Sequence, residues 1–149
     1  MTFDDPGRVA LGAATAVFDG DGRVLLVHHT YGPRNWELPG GLSLAGEDPA
    51  STAQRELREE TGLEIGLGEL VGLYFEPTHR LGAFFHVTFR ILRAAPVLPT
   101  PSSDEVDAAD LFAPDGLPRP MSDLTALRIE HARQGGGHYA VVGPRQWLT

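Results

Sequence analysis

The chain has 149 residues, a net charge of −8 at pH 7 and no cysteine, and its length fits one domain over residues 1–149. The acidic balance argues against a protein that binds long nucleic acid, and the lack of cysteine excludes disulfide bonds and thiol chemistry. No apolar run is long enough to span a membrane, and the first residues are acidic where a signal peptide would be basic, so we expect a cytoplasmic protein.

The first predicted elements form a β-hairpin. Val9–Phe18 and residues 23–29 are apolar runs that predict strands, and the sequence DGDG at residues 19–22 is a turn signal between them. A polar loop at residues 31–36 then leads into the sequence ELPGG at residues 37–41. The chain therefore predicts two paired strands followed by a glycine-rich approach to the next element.

Three side chains of the polar loop are candidates for binding substrate or for packing in the core. Arg34 could meet a phosphate, and Tyr31 could stack on a base or a sugar. Trp36 is favoured as a core residue over a stacking surface. Tyr31 and Arg34 are therefore predicted to bind substrate.

Residues 48–62 have the signals of a helix. Asp48 is a good N-cap, Pro49 fits the first helical position, and Gly62 fits a left-handed C-terminal cap. At about 100° per residue, one narrow stripe should pack on the core. That stripe consists of Ala50, Ala53, Leu57 and Thr61.

Three carboxylates share the neighbouring face of this helix. Glu56, Glu59 and Glu60 stand at i, i+3 and i+4, and their repulsion would raise their pKa values unless a cation sits among them. A hard divalent ion such as Mg²⁺ or Mn²⁺ takes oxygen ligands of this kind. On these residues alone, a solvated acidic face paired with Arg55 and Arg58 is the alternative.

The surrounding sequence favours the metal site over the solvated acidic face. Residues 41–63 read GLSLAGEDPASTAQRELREETGL and meet every fixed position of G-x5-E-x7-R-E-U-x-E-E-x-G-U, where U is aliphatic. This stretch resembles the signature box of the Nudix hydrolases, and the W-x-L-P-G-G element at residues 36–41 resembles the family's lead-in to the box. The resemblance implies metal-dependent hydrolysis of a pyrophosphate bond in a nucleoside diphosphate linked to another group.

The resemblance also implies roles for single residues. Glu56, Glu59 and Glu60 would hold the metal, and Arg55 would orient them through an ion pair, so these four are the predicted catalytic residues. Glu47 would support the site or bind a further ion. The backbone carbonyl of Gly40 is a candidate for an additional ligand, because glycine lets the chain approach an ion closely. The general base is left open between a glutamate of the box and an acidic residue in a later loop.

The next two predicted strands follow the box. Residues 65–75 predict a strand interrupted by glycines, and residues 83–92 alternate and are rich in β-formers. Residues 76–82 would link them. Glu76 in that link is predicted to contact substrate, with a solvent-exposed position as the alternative.

A second acidic stretch, SDEVDAADLF at residues 103–112, precedes DGLP at residues 115–118. It resembles a late segment of the family in which a glutamate precedes an aromatic strand and a D-x-L-P turn. Glu105 is therefore predicted as a metal ligand or base, with a solvated acidic loop as the alternative. Leu111 stands where the family often has Trp, which is a departure from the pattern.

Val106–Phe112 predicts a short strand or extended segment, and residues 122–134 predict a helix capped by Ser122. Strands around a central helix, with a second helix near the end, indicate α+β or α/β layering. The resemblance implies an α/β/α sandwich with a mixed central sheet, a core over about residues 8–134 and a C-terminal tail at residues 135–149. Within the tail, residues 139–142 would add a strand or dock loosely.

The substrate is predicted from resemblance alone. Pro77 follows Leu63 by fourteen residues, close to a proline found in some members that cleave ADP-ribose, and residues 28–41 resemble members that act on nucleotide sugars. ADP-ribose or a related nucleotide sugar is therefore favoured as the small-molecule partner. The alternatives are hydrolysis of (d)NTPs or oxidised nucleotides, and a non-catalytic nucleotide sensor. A homodimer is also possible.

Overall fold

The computed structural model describes residues 8–149. In chain order the elements are β1 (Val9–Phe18), β2 (Val24–His29), β3 (Trp36–Glu37), β4 (Gly40–Leu42), α1 (Pro49–Thr61), β5 (Glu69–His79), β6 (Gly82–Leu92), β7 (Val106–Phe112), β8 (Met121–Ser122), α2 (Asp123–Gln134), β9 (His138–Val141) and β10 (Trp147–Leu148). The strands form one mixed sheet of order β10-β8-β3-β2-β1-β6-β5-β9, with β4 paired to β1 and β7 paired to β2.

β1 lies inside the sheet because both of its faces are apolar. Successive side chains of a strand point to opposite faces. Ala14 belongs to the same buried cluster as Ile129 of α2, whereas Val17 belongs to a cluster with Leu57 of α1. The two helices therefore cover opposite faces of the sheet, which confirms the predicted α/β/α sandwich.

The box helix α1 has the predicted ends. Asp48 Oδ1 accepts a hydrogen bond from the Ser51 N–H at 2.7 Å, and Pro49 is the first helical residue. Gly62 has φ 73°, a left-handed conformation in which its N–H donates to the Arg58 carbonyl at 2.8 Å. The predicted stripe packs inward, with three members buried: Ala53, Leu57 and Thr61.

The prediction for residues 76–82 was wrong. These residues do not form a free link, because β5 continues to His79 and pairs with β6, placing Glu76 opposite Phe84 and His79 opposite Gly82. The register shifts between those two pairs, at the position of Pro77, which has no N–H to offer the ladder. Glu76 is buried within the sheet, so the solvent-exposed alternative is also wrong.

β5 also begins later than predicted, at Glu69 rather than residue 65. Glu69 pairs with Arg90 near the C-terminal end of β6, and residues 65–68 lie outside the strand. The first hairpin was predicted correctly, since Phe18 of β1 pairs with Val24 of β2 across the turn. The cap of the second helix is also confirmed, because Ser122 Oγ accepts from the Thr125 N–H at 3.1 Å.

The C-terminal segment is built into the sheet. Of the two alternatives for residues 139–142 the strand is the one found, because β9 pairs in parallel with β5, and β10 pairs with β8 so that Trp147 lies opposite Ser122. The backbone N–H of Asp123 donates to the Gln146 carbonyl at 2.8 Å. Within residues 8–149, no helix is long and apolar enough to cross a membrane.

Candidate active site

Arg55 of α1 binds three carboxylates of the box. Its Nε and Nη2 donate to the two oxygens of Glu47 at 2.9 and 3.0 Å, and its Nη1 donates to Glu56 at 2.9 Å and to Glu59 at 3.1 Å. Nη2 also donates to the Leu42 carbonyl at 3.0 Å. A guanidinium has five N–H donors, and these five bonds use all of them. Arg55 therefore orients the carboxylates and has no donor left for a substrate.

Glu47 is held as a carboxylate. Hydrogen bonds from Arg55 and from the Thr52 hydroxyl, the latter at 2.6 Å, lower the pKa of Glu47 to about 2. The backbone N–H of Leu44 adds a bond at 3.2 Å. Glu47 thus lies just before α1, and its carboxylate holds the Arg55 guanidinium in place.

Glu60 faces the opposite situation. Its side chain is buried, and Oε1 accepts the backbone N–H of Gly40 at 2.7 Å. Burial, together with the negative charges of Glu56, Glu37 and Glu105, raises the pKa of Glu60 to about 9. Among residues 8–149, no arginine or histidine forms an ion pair with it. A cation placed beside Glu60 would reverse this penalty.

Gly40 and Gly41 allow the backbone of β4 to lie close to β1 and to the carboxylates of α1. β4 pairs with β1, and a Cβ on Gly40 would lie 2.5 Å from the Ala13 carbonyl oxygen. A Cβ on Gly41 would lie 2.7 Å from Glu56 Oε1. Only glycine at these positions brings the β4 backbone this close to the carboxylates of α1.

The donor set fits a hard divalent ion. Burial raises the pKa of Glu56, as it does that of Glu60. Apart from the bond of Arg55 to Glu56, no arginine or histidine of residues 8–149 pairs with either carboxylate. Carboxylate oxygens are what Mg²⁺ and Mn²⁺ bind. Glu59 is half-exposed and turned to Arg55, and no three acidic or histidine side chains converge on one point in residues 8–149.

A cavity of about 480 Å³ opens beside Gly40 and Gly41. This volume lies in the range of about 300–1,000 Å³ that is typical of small-molecule sites. Tyr31 and His29 line it, with their rings stacked at a centroid distance of 4.8 Å. Beside the predicted metal-binding face there is thus room for a ligand the size of a nucleotide.

A comparison with known protein families identifies the family of this chain. The family model described as NUDIX domain matches residues 8–132. This chain belongs to the Nudix family. It is a Nudix hydrolase, and the resemblance seen in the box is confirmed.

Relatives and solved structures agree with this assignment. A MutT-like protein of Streptomyces ambofaciens is 32% identical over 132 residues, which cover 89% of this chain and 82% of the relative. The NUDIX domain of Shewanella oneidensis NrtR, solved in complex with ADP ribose, has a TM-score of 0.74 at 22% identity. That match covers 89% of this chain and 92% of the other, and it shows the same fold.

Two shorter matches carry different substrates in their names. An ADP-ribose pyrophosphatase of Mycobacterium tuberculosis is 53% identical over 62 residues, which cover 39% of this chain and 30% of the relative. A putative 8-oxo-dGTP diphosphatase of Bacillus subtilis is 38% identical over 66 residues, 44% of each chain. The segment of this Nudix hydrolase that matches thus covers less than half the length of either relative.

The structure brings Glu105 to the box. Its backbone carbonyl accepts the Thr30 N–H at 3.0 Å, and the Thr30 hydroxyl donates to the Asp104 carbonyl at 2.9 Å. The Glu105 side chain is exposed, and its charge acts on both Glu56 and Glu60 by raising their pKa values. The charge of Glu105 thus reaches the box carboxylates, but its side chain does not join them in a group of three that could share one metal ion within residues 8–149.

The three predicted substrate residues fall in different places. Tyr31 lines the cavity, whereas Arg34 is exposed and lies outside the lining. Glu76 lies behind the cavity wall, where its Oε2 accepts a hydrogen bond from His86 Nε2 at 2.8 Å. Burial lowers the pKa of His86, which favours the neutral imidazole, and the Glu76 carboxylate beside Nε2 favours the tautomer with its proton on that nitrogen. It is His86 rather than Glu76 that borders the cavity.

A second cluster of polar side chains lies at the cavity and was not predicted from the sequence. Glu37 Oε1 accepts from the Leu38 N–H at 2.9 Å, from the Thr125 hydroxyl at 2.7 Å and from Arg128 Nη2 at 2.7 Å. One signal for it was present. Arg128 stands on the buried stripe of α2, where a charged side chain needs a partner. The buried stripe is Leu124, Thr125, Arg128, Ile129 and Ala132.

Proposed function

We propose that this Nudix hydrolase uses Mg²⁺ or Mn²⁺ to cleave the pyrophosphate bond of a nucleoside diphosphate linked to a sugar, with ADP-ribose or a related nucleotide sugar as substrate. The observation that carries the proposal is the buried Glu60, which has no ion pair among residues 8–149 and accepts a hydrogen bond from Gly40 at the wall of a nucleotide-sized cavity. A homodimer and a cytoplasmic location stay predictions from the sequence.

The metal would be held by Glu56, Glu59 and Glu60, with Glu105, Glu47 and the Gly40 carbonyl as further candidates. When bound, the ion would withdraw charge from the phosphate oxygens and make water acidic enough to attack phosphorus at neutral pH. In the reaction, the water oxygen forms a new bond to phosphorus, the bridging P–O bond breaks, and one proton is released.

Residues of the chain would prepare this step. Arg55 fixes the carboxylates of Glu56 and Glu59, and the Gly40 N–H fixes one oxygen of Glu60. Holding these groups before the substrate arrives spares the reaction their reorganisation. Tyr31, stacked on His29 at the cavity wall, offers an aromatic face to a base or sugar.

The sugar-nucleotide substrate has support from two directions. The M. tuberculosis relative is an ADP-ribose pyrophosphatase, and the S. oneidensis domain of the same fold was solved with ADP ribose. The B. subtilis relative favours the alternative substrate, an oxidised nucleoside triphosphate. Product analysis separates the two, because the bonds that break differ.

The test is turnover with Mg²⁺ and with Mn²⁺ against ADP-ribose, ADP-glucose, GDP-mannose, dinucleoside polyphosphates, dNTPs and 8-oxo-dGTP. Release of AMP and ribose 5-phosphate from ADP-ribose would support the proposal. Release of pyrophosphate from 8-oxo-dGTP without cleavage of any nucleotide sugar would replace the substrate. Lack of metal-dependent turnover on every compound would overturn the proposal.

A matched pair of variants ties the turnover to the site. Glu60→Gln removes the charge of the buried carboxylate while keeping its size, so we expect most turnover to be lost with the fold retained. Glu64→Gln makes the same change at an exposed glutamate just beyond α1 and should keep wild-type turnover. Equal turnover of the two variants would argue against Glu60 as a metal ligand.

A further inference from the structure

One wall of the cavity carries arginines that the proposed chemistry at α1 does not use. Arg128 comes from α2, Arg80 from the turn between β5 and β6, and Arg145 from the segment before β10. Two hydrogen bonds hold the backbone of that last segment. Asp123 N–H donates to the Gln146 carbonyl at 2.8 Å, and Gln146 N–H donates to the side-chain Oδ1 of Asp123 at 3.0 Å. Arg145 therefore reaches the cavity from a fixed backbone.

Two of these guanidinium groups have a donor to spare. Arg128 is only 4% exposed, and its Nη2 is bonded to Glu37, yet its Nε–H is buried without an acceptor. The Nε–H of Arg145 is likewise buried and meets no acceptor in residues 8–149. Buried donors in folded proteins nearly always have a partner, and the need is greatest for charged groups. A third buried Nε–H without an acceptor in residues 8–149, that of Arg90, lies outside the cavity lining. At the cavity itself, two guanidinium groups with unpaired donors favour an anionic ligand.

The nearby carboxylates do not fill this role. Glu37 Oε1 already accepts three hydrogen bonds, and Glu76 Oε2 is bound by His86. Within the described part of the chain, Arg145 has no ion pair at all. Burial lowers the pKa of His86, and the charges of Arg128 and Arg145 lower it further, so both guanidinium groups act on the same part of the cavity.

We propose that Arg128 and Arg145 bind a second oxyanion of the substrate, a phosphate ester or a carboxylate carried by its nucleoside or its sugar. A planar guanidinium offers paired N–H donors that match either group. The inference rests on the proposed function, because it adds a charged group to the same class of nucleotide. The enzyme should therefore prefer a nucleotide sugar with such a group to its uncharged counterpart.

The test compares kcat/KM within two matched pairs of substrates. ADP-ribose against ADP-ribose 2′-phosphate probes a phosphate ester, and UDP-glucose against UDP-glucuronate probes a carboxylate. We expect the wild type to prefer the charged member of one pair by roughly 10-fold or more, the effect of a hydrogen bond to a charged group. Arg145→Gln should bring that ratio close to one.

Arg145 is the residue to change because it is only half-buried and lacks an ion pair among residues 8–149, so its replacement should leave the fold intact by circular dichroism. Arg133→Gln is the control, since Arg133 is exposed on the same helix as Arg128 and should keep the wild-type ratio. A ratio near one in the wild type for both pairs, or the same preference in wild type and Arg145→Gln, would overturn the inference.

A binding measurement separates this inference from the proposed function. Titration calorimetry with the charged nucleotides in EDTA reports the arginine site without turnover. Binding that is lost in Arg145→Gln, in an enzyme that cleaves none of the nucleotides tested, would support the oxyanion site and overturn the proposed function. Cleavage of ADP-ribose without Arg145-dependent binding or preference would support the function and overturn the oxyanion site.

Discussion

Replacing Gly41 by alanine should slow turnover without unfolding the protein. The new Cβ would lie 2.7 Å from both Cδ and Oε1 of Glu56, whereas ordinary van der Waals contact begins at 3.4 Å. The Glu56 carboxylate must therefore move by about 0.7 Å, the difference between those distances. It cannot move freely, because Arg55 Nη1 holds Oε1 at 2.9 Å.

The size of the effect follows from this shift. A misplacement of about 1 Å in an active site costs roughly 100-fold in rate. We therefore expect kcat to fall roughly 10- to 100-fold, which is about 1.4–2.7 kcal/mol of barrier. The free energy of unfolding should change by less than about 1 kcal/mol, because the clash is with the end of a side chain and alanine restricts the unfolded chain.

The assay is kcat for the best nucleotide over a series of Mg²⁺ concentrations, alongside urea unfolding in EDTA. Gly116→Ala is the matched control, because its Cβ would meet only the Ala113 carbonyl oxygen at 3.8 Å, an ordinary contact. Wild-type kcat and Mg²⁺ dependence in Gly41→Ala would refute the reasoning, since the position of the Glu56 carboxylate would then not limit the reaction.

Three further changes test the fold around the site. Leu57→Ala should lower the free energy of unfolding by about 2–4 kcal/mol in urea, because its side chain is buried in the cluster beneath α1. Thr125→Val should cost about 1–2 kcal/mol, because the Glu37 carboxylate loses a buried hydroxyl donor. The pKa of His86 is lowered in the folded state, so only the unfolded chain gains this proton as pH falls below 6.5. Wild-type stability should then fall between about pH 6.5 and pH 5 by up to ~1.4 kcal/mol per unit more than that of His86→Gln, measured by urea unfolding.

Each of these has an outcome that would contradict it. Leu67→Ala, at a 65% exposed leucine, is the control for Leu57→Ala, and equal losses would mean that α1 is not anchored by its stripe. Unchanged stability of Thr125→Val would show that the Glu37 carboxylate is satisfied without the hydroxyl. Parallel pH profiles for wild type and His86→Gln would show that the imidazole does not titrate differently on folding.

The parts of the fold that could be predicted are those whose cause is local. The ends of α1 follow from Asp48 and Gly62, whose side chain and φ angle act within a few residues of themselves. The packing of α1 on the sheet follows from the period of its apolar stripe. The site carboxylates of the box were predictable for the same reason, because a spacing of three and four residues puts Glu56 and Glu60 on one helix face.

The parts that were wrong or missed depend on partners far along the chain. β5 runs to His79 because β6 lies beside it, whereas residues 76–82 were predicted to link the two strands. Glu37 and Arg128 are 91 residues apart, so neither predicts the other. The C-terminal segment reaches the cavity through its pairing with β8, and the short sequence of β10 carries little strand signal of its own.

All twelve basic residues of this acidic chain, other than histidine, are arginines, and their surroundings divide them by function. Arg55 spends its five donors on carboxylates and a carbonyl of the protein, so it can only position those groups. Arg128 and Arg145 line the cavity and have unpaired donors among residues 8–149, which is why we propose them as the residues that bind an oxyanion. Arg90 also has a buried Nε–H without an acceptor in residues 8–149 but lies outside the cavity lining, so an arginine proposed to bind substrate needs both an unpaired donor and a place at the cavity.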